Sequence, residues 1–162
     1  MADDSSTASR RRFLAAAGGV VGGVALAPAA RAADGQLSFP GEDPEVRLVF
    51  QINRDDPEYY GQILFSMGEI LRQLDNQAEL VGVAFGPGLN LLLRDPPATV
   101  RSDHGDKVSS LMTYGVSFRA CGNTMQALDV TGDDLRDGVE PVPAGVLEMA
   151  QLQQKGFAYV AW

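Results

Sequence analysis

The fold is decided by one stretch, which reads Gly115-Val116-Ser117-Phe118-Arg119-Ala120-Cys121-Gly122-Asn123-Thr124-Met125. Its first half alternates the apolar Val116 and Phe118 with the polar Ser117 and Arg119. This period of two predicts a strand with one face more buried than the other. The second half predicts a turn and then a helix, so the stretch reads as strand, turn and helix.

The turn between strand and helix carries the only cysteine of the chain, Cys121. Gly122 permits backbone angles that other residues disfavour, and Asn123 suits the N-cap of a helix that begins at Thr124. Cys121 is therefore expected where a strand ends and a helix begins, the edge at which open α/β sheets bind ligands. The positive end of the helix dipole there favours the nucleophilic thiolate. A small buried cysteine with a structural role remains the alternative.

Strands and helices alternate on both sides of this stretch. Strands are predicted over residues 45–53, 78–85, 116–120, 139–143 and 157–162, and helices over residues 57–74, 103–114, 124–129 and 144–156. This alternation predicts a three-layer α/β/α domain with a five-stranded, mainly parallel sheet covered on both faces. The pattern does not fix the strand order. Two prolines in the fourth strand place it at an edge or limit its pairing.

The core-facing sides of the helices follow from helical spacing. The first helix has its apolar stripe at Tyr60, Ile63, Leu64, Met67, Ile70, Leu71 and Leu74. The last helix is expected to bury Val146, Met149, Ala150 and Gln153. His104 lies one turn before Val108, and we interpret it as a border residue with a satisfied hydrogen bond. A Cys121–His104 pair stays open as the alternative.

Glycine-containing loops are expected to surround Cys121. Gly86-Pro87-Gly88 follows a strand at the same edge, Asn90 comes next, and Pro143 to Gly145 open the last helix. The first loop lacks the third glycine of a dinucleotide site, and there is no Walker lysine. No Gly-x-Ser-x-Gly elbow of a serine hydrolase is present either. We therefore predict no nucleotide cofactor, and Cys121 as the candidate nucleophile.

Composition limits the partners. The formal net charge of -8 argues against nucleic acid and anionic lipid, and predicts an acidic, solvated surface, with docking of a basic partner as the alternative. One cysteine excludes an internal disulfide and a Cys-rich zinc site. Because the chain has only one histidine as well, we expect no metal centre.

The N-terminus predicts an export signal over residues 1–32. Ser9-Arg10-Arg11-Arg12-Phe13-Leu14 resembles the twin-arginine (Tat) motif, a short run of Ala and Gly follows, and Ala30-Arg31-Ala32 suits a signal peptidase. The run is too short and glycine-rich for a membrane span, so we expect none after cleavage. The alternative is an uncleaved anchor. Residues 33–44 read as a linker and 45–162 as the domain, in the periplasm or otherwise exported.

Several segments resemble the DsrE/DsrF-like family. They are residues 115–124, Val142-Pro143-Ala144-Gly145-Val146, the segment from Leu152-Gln153 to Val160, and the first strand through Phe85-Gly86-Pro87-Gly88-Leu89. The resemblance implies a DsrE-like fold of the Rossmann or flavodoxin type. Members such as the TusD-type proteins carry sulfur as a cysteine persulfide.

The resemblance also implies a site and partners. Cys121 takes the sulfur-carrying position of a candidate sulfurtransferase. From the residues themselves we expect the backbone N–H groups of Gly122, Asn123 and Thr124 to stabilise the anion. The remaining supporting residues would wall the site if their loops share the carboxyl edge of the sheet; they are Gly86, Gly88, Asn90, Pro143 and Gly145. The partner is a protein sulfur donor or acceptor, or a small sulfur compound, and the chain forms a homo-oligomer, a trimer or hexamer. Two alternatives stay open: a non-catalytic binding or assembly module, and a thiol redox sensor that needs a partner's resolving cysteine.

Overall fold

The structure is a computed structural model that describes residues 44–161. The predicted signal segment 1–32 and nearly all of the predicted linker 33–44 lie outside these residues. None of the helices in the described range is long and apolar enough to cross a membrane.

Five strands form one sheet, in which every neighbouring pair is parallel. They are β1 (Val46–Ile52), β2 (Ala78–Ala84), β3 (Ser117–Cys121), β4 (Glu140–Val142) and β5 (Ala158–Val160). Their order in the sheet is β4-β3-β2-β1-β5. The predicted α/β class with a parallel five-stranded sheet is confirmed, and β4 with Pro141 lies at an edge, as its prolines indicated.

Four α-helices connect the strands. They are α1 (Pro57–Gln73), α2 (Ser102–Thr113), α3 (Gly122–Ala127) and α4 (Gly145–Gln154), and two 3₁₀ helices span Gly86–Leu92 and Gly132–Asp134. Helix α1 begins with a capping residue and a proline. The Asp56 carboxylate accepts the Tyr59 N–H at 2.8 Å. Pro57 occupies the first helical position, where a backbone N–H would have no partner within the helix.

Alternate residues of each central strand enter two different cores. In β2, Leu80 and Ala84 pack with the apolar stripe of α1, whereas Val81 and Val83 face α4. The second and smaller core contains Val49, Val81, Val83, Met149, Leu152 and Phe157. Both faces of the sheet are therefore covered, as a parallel sheet requires.

The buried side of α4 differs from the prediction. Helical spacing in the sequence predicted a buried side formed by Val146, Met149, Ala150 and Gln153. Of these only Met149 is buried, and Val146 is 64% exposed. The side that faces the sheet is formed by Gly145, Met149 and Leu152. The prediction was wrong because the buried side of α4 begins at Gly145, which packs against Cys121 and Val83 but has no side chain to count as apolar.

Candidate functional site

Strand β3 passes into helix α3 without an intervening turn. Cys121 is both the last residue of β3 and the N-cap of α3, with φ -68° and ψ 115°. The predicted N-cap at Asn123 and helix start at Thr124 are therefore wrong by two residues. Cys121 lies, as predicted, at the carboxyl edge of the sheet, where β3 ends.

Gly122 is needed for a close approach and not for unusual backbone angles. It is absent from the glycines with positive φ in the described range. A Cβ at Gly122 would lie 3.0 Å from the Val142 carbonyl oxygen and 3.3 Å from that of Pro143. Glycine therefore lets the first turn of α3 pack against the end of β4, which is a tertiary requirement that the local sequence does not reveal.

The Cys121 side chain is buried and faces several hydrogen-bond donors. The residue is 6% exposed, and its side chain makes no capping hydrogen bond to α3. Burial raises the pKa of the thiol, but the backbone N–H groups of Gly145, Thr124 and Asn123 and the Thr124 hydroxyl stabilise the thiolate. These donors outweigh burial, so the pKa of Cys121 lies below the ordinary value for a cysteine.

Thr124 connects the cysteine corner to the loop after β2. Its hydroxyl oxygen accepts the backbone N–H of Gly86 at 2.9 Å. The hydroxyl hydrogen is then free to point at the sulfur of Cys121. Gly86 has φ +54°, a left-handed conformation that glycine adopts without strain.

Gly88 packs against the end of β1 and does not line the cavity described below. A Cβ at Gly88 would lie 2.2 Å from the carbonyl oxygen of Ile52, so only glycine fits against the end of β1. The Phe85 N–H also donates to the Ile52 carbonyl, at 3.0 Å. The 3₁₀ helix is thus anchored to β1 where it enters the site.

A cavity of about 470 Å³ opens beside the cysteine corner. Its lining residues are Gly86, Pro87, Asn90, Asn123, Thr124, Ala127 and Leu128. Four predicted site residues share this cavity, namely Gly86, Asn90, Asn123 and Thr124. Cys121 itself does not line it.

Gly145 and Pro143 lie on the other side of Cys121, at the start of α4. A Cβ at Gly145 would lie 3.1 Å from the Cys121 Cβ, 3.2 Å from Phe85 Cδ1 and 3.3 Å from Val83 Cγ1. The glycine thus brings the N-terminus of α4 into direct contact with the cysteine. The structure gathers the predicted residues around Cys121 in two groups, while Gly88 acts through the backbone beneath them.

Asp55 is a residue of this edge that the sequence analysis missed. Its carboxylate accepts Asn90 Nδ2 at 3.0 Å, the Thr99 hydroxyl at 2.6 Å and the Tyr60 hydroxyl at 3.1 Å. It therefore fixes the amide of Asn90 at the cavity wall. The available signal was its position directly after the first strand, at the carboxyl edge where polar residues gather.

His104 is fully buried, and its predicted place at the border of the core is wrong. Its Nδ1 accepts the Arg101 N–H at 3.3 Å, its Nε2 lies 3.0 Å from Arg101 Nη2, and its ring meets the Tyr60 ring edge-on at 5.8 Å. The predicted satisfied hydrogen bond is present. Within the described part of the chain, these contacts do not pair His104 with Cys121.

Residues 44–161 contain no group of three His, Cys, Asp or Glu side chains arranged to hold a metal ion. The cysteine corner itself offers a single thiol with hydrogen-bond donors around it. Such a corner can stabilise a thiolate or a persulfide anion.

The family model described as DsrE/DsrF-like family matches residues 25–162. Among solved structures, a protein of unknown function from Methanobacterium thermoautotrophicum, MTH1491, is 32% identical, with 73% of this chain and 100% of that chain covered and a TM-score of 0.66. The ychN protein from E. coli shares the fold at 15% identity, 72% and 99% coverage and a TM-score of 0.59. A search of curated proteins found no match.

Proposed function

The chain belongs to the DsrE/DsrF-like family, and from this premise we propose that it is a sulfur carrier whose Cys121 forms a persulfide and passes the outer sulfur to a partner protein. The family supports a sulfur-relay role. The observation that carries the proposal is the place of the one cysteine of the chain, which is the N-cap of α3 and contacts Gly145 at the start of α4, where N–H groups of both helices stabilise its thiolate.

The loading step conserves atoms and electrons. The Cys121 thiolate attacks the outer sulfur of a donor persulfide, R–S–SH, the donor's S–S bond breaks, and the donor leaves as the thiolate R–S⁻. The new bond gives Cys121–S–SH without net oxidation. Unloading repeats the exchange, because a partner thiolate attacks the outer sulfur and Cys121 leaves as thiolate.

The donors around Cys121 suit both the attacking and the loaded form. The backbone N–H groups of Asn123, Thr124 and Gly145 stabilise negative charge on the sulfur without any change of side-chain conformation. The lowered pKa increases the thiolate fraction at neutral pH, which favours attack on the donor and departure during unloading.

The burial of Cys121 favours a second candidate function. A sulfur carrier must present its sulfur to a partner, and this residue is only 6% exposed. A non-catalytic binding or assembly module with a structural cysteine would need no such access. The two functions therefore differ in whether the native thiol reacts.

The deciding experiment is intact mass spectrometry of the protein after incubation with thiosulfate and a sulfurtransferase as persulfide donor. We expect a gain of one sulfur that reductant removes, and no gain in Cys121→Ser, which should fold normally. An equal gain in Cys121→Ser would overturn the assignment. A native thiol that accepts no sulfur, and resists alkylation until the chain unfolds, would show a structural cysteine and favour the binding module instead.

We also propose that residues 1–32 direct export by the twin-arginine route, on the strength of Ser9 to Leu14 and Ala30 to Ala32. The test is to replace Arg10, Arg11 and Arg12 by lysine and to fractionate the cells. Export of the parent chain with a new N-terminus at Ala33, and retention of the triple variant, is the expected result. Retention of both chains would contradict the proposal.

A homo-oligomer, a trimer or hexamer, is proposed from the family resemblance. Light scattering coupled to size exclusion would show three or six times the monomer mass. A monomer mass over the working range of concentration would contradict it.

A further inference from the structure

One ion pair in the domain is largely buried and joins β3 to α4. Arg119 Nη1 donates to Glu148 Oε1, and the two side chains are 22% and 12% exposed. In every other ion pair of residues 44–161, at least one partner side chain is about half exposed or more. The Arg119–Glu148 pair is therefore unlike the surface pairs, which contribute little to a structure.

The pair lies next to the contact between Cys121 and Gly145. Arg119 precedes Cys121 by two residues and lies on the same face of β3, about 7 Å away along the strand. Glu148 follows Gly145 by three residues, on the same side of α4 and about 4.5 Å along its axis. The strand and the helix run in opposite directions. The Cys121–Gly145 and Arg119–Glu148 contacts therefore follow one another along the same interface between β3 and α4.

The pair is a poor source of stability. Two desolvated charges recover their desolvation cost only with good geometry and complete hydrogen bonding. Arg119 Nε is buried without a hydrogen bond, and Glu140 Oε2 lies 3.7 Å from it, too far to accept one. What a directional pair provides at such a site is a fixed position of one element on the other.

The first turn of α4 has no cap of its own. Its N-cap residue is Ala144, which forms no side-chain hydrogen bond with the helix. The first helical residue, Gly145, nevertheless lies against Cys121, where an added Cβ would be 3.1 Å from the Cys121 Cβ, and its N–H is one of the groups that stabilise the thiolate. Among the described residues, the side-chain hydrogen bond nearest to this turn that crosses to the sheet is Arg119 to Glu148.

We propose that Arg119 and Glu148 are positioning residues, which hold the first turn of α4 over Cys121 and thereby set the nucleophilicity of its sulfur. This inference rests on the proposed function, since a structural cysteine would have no need of a tuned sulfur. Neither residue touches the reacting atoms, so both act through the Gly145 N–H.

The direction in which Glu148→Gln shifts the pKa of the Cys121 thiol distinguishes a positioning role from a direct effect of charge. The pKa of the single thiol can be titrated by the ultraviolet absorbance of its thiolate, which does not require access to the sulfur. If Glu148 acted only through its charge, Glu148→Gln would lower the thiol pKa. We expect it to raise the pKa, with about a tenfold smaller thiolate fraction at neutral pH, because one hydrogen bond to the anion is misaligned.

A double variant keeps the test decisive if a single one fails to fold. Arg119→Met with Glu148→Leu replaces the pair by apolar groups of similar size, an exchange that buried pairs often tolerate. A folded double variant with a raised thiol pKa supports positioning, and one with the parent's pKa overturns it. Glu79→Gln, which breaks the exposed Arg47–Glu79 pair, is the control and should leave the pKa unchanged.

The two proposals fail in different ways. A parent protein that forms no persulfide removes the sulfur-carrier function, whatever the titrations show. A parent protein that forms the persulfide, combined with a thiol pKa that Glu148→Gln leaves unchanged or lowers, removes only the positioning role.

Discussion

The hydroxyl oxygen of Thr124 accepts the backbone N–H of Gly86 at 2.9 Å, so one side chain ties the segment after β3 to the segment after β2. Both segments border the cavity beside Cys121. Because a hydroxyl accepts with its oxygen and donates with its hydrogen, Thr124 can satisfy Gly86 and stabilise the Cys121 thiolate at once.

Thr124→Val should therefore affect stability and reactivity together. Valine keeps the shape but leaves the Gly86 N–H without its acceptor, which costs about 1–2 kcal/mol of unfolding free energy. The thiol pKa should rise because one donor to the thiolate is lost. Urea denaturation and the pH dependence of thiolate absorbance measure the two effects.

The matched control is Thr113→Val. The Thr113 hydroxyl donates to the Ser109 carbonyl on the exposed side of α2, away from the cysteine corner. It should change stability by only a few tenths of a kcal/mol, since exposed positions seldom matter more, and leave the thiol pKa unchanged. An unaltered thiol pKa in Thr124→Val would show that the Thr124 hydroxyl does not stabilise the Cys121 thiolate.

Local sequence predicted those features whose causes are local. Alternation at Val116 to Arg119 gave β3, and Asp56 followed by Pro57 gave the start of α1, because period and cap chemistry act within a few residues. The position of Cys121 at the carboxyl edge followed from the alternation of strands and helices.

The features that sequence reasoning missed depend on distant partners. Gly122 is required by the carbonyl oxygens of Val142 and Pro143, about twenty residues away, so its role as a close-approach glycine is invisible locally. The contact of Gly145 with Cys121 is of the same kind. The burial of His104 depends on Tyr60 of another helix, and the anchoring of Asn90 depends on Asp55.

Gly145→Ala should disturb the cysteine although it is the smallest possible change. The added Cβ would lie 3.1 Å from the Cys121 Cβ, which the backbone of β3 holds in place. The first turn of α4 would have to move outward, carrying the Gly145 N–H from the sulfur. We expect a loss of about 1 kcal/mol in denaturation, within the range for overpacking, and a higher thiol pKa.

Gly68→Ala provides the comparison. Gly68 lies within α1, and a Cβ there meets no atom within 4 Å. Alanine should stabilise the helix by about 0.5–1 kcal/mol, because glycine loses more backbone entropy on folding. If both alanine variants stabilised the protein and kept the thiol pKa, the close contact at Gly145 would have no consequence for the site.

Gly88→Ala should be the most damaging glycine variant of this edge. Its Cβ would lie 2.2 Å from the Ile52 carbonyl oxygen and 2.7 Å from the Asn53 nitrogen, which are backbone atoms that cannot turn aside. We expect a loss of more than about 3 kcal/mol, beyond the usual range for point substitutions. A melting temperature within a few degrees of the parent's would show that the 3₁₀ helix yields easily.

His104 should make the domain sensitive to mild acid. Burial lowers the pKa of its imidazole, the nearby Arg101 and Lys107 charges lower it further, and only Asp103 opposes them. The folded chain therefore binds the proton less readily than the unfolded chain. Above the ordinary histidine value of about 6.5 both states are neutral and the full stability is present.

Between that value and the lower pKa of the folded state, only the unfolded chain gains the proton, so stability falls as the pH falls. His104→Asn offers an acceptor to the Arg101 N–H but cannot titrate. Near neutral pH the variant should be less stable than the parent, because packing on Tyr60 is lost. When urea denaturation is repeated at about pH 5.5, the free energy of unfolding should fall less in the variant than in the parent. Equal losses in the two proteins would mean that exposed carboxylates, and not the buried imidazole, control the acid side of the stability curve.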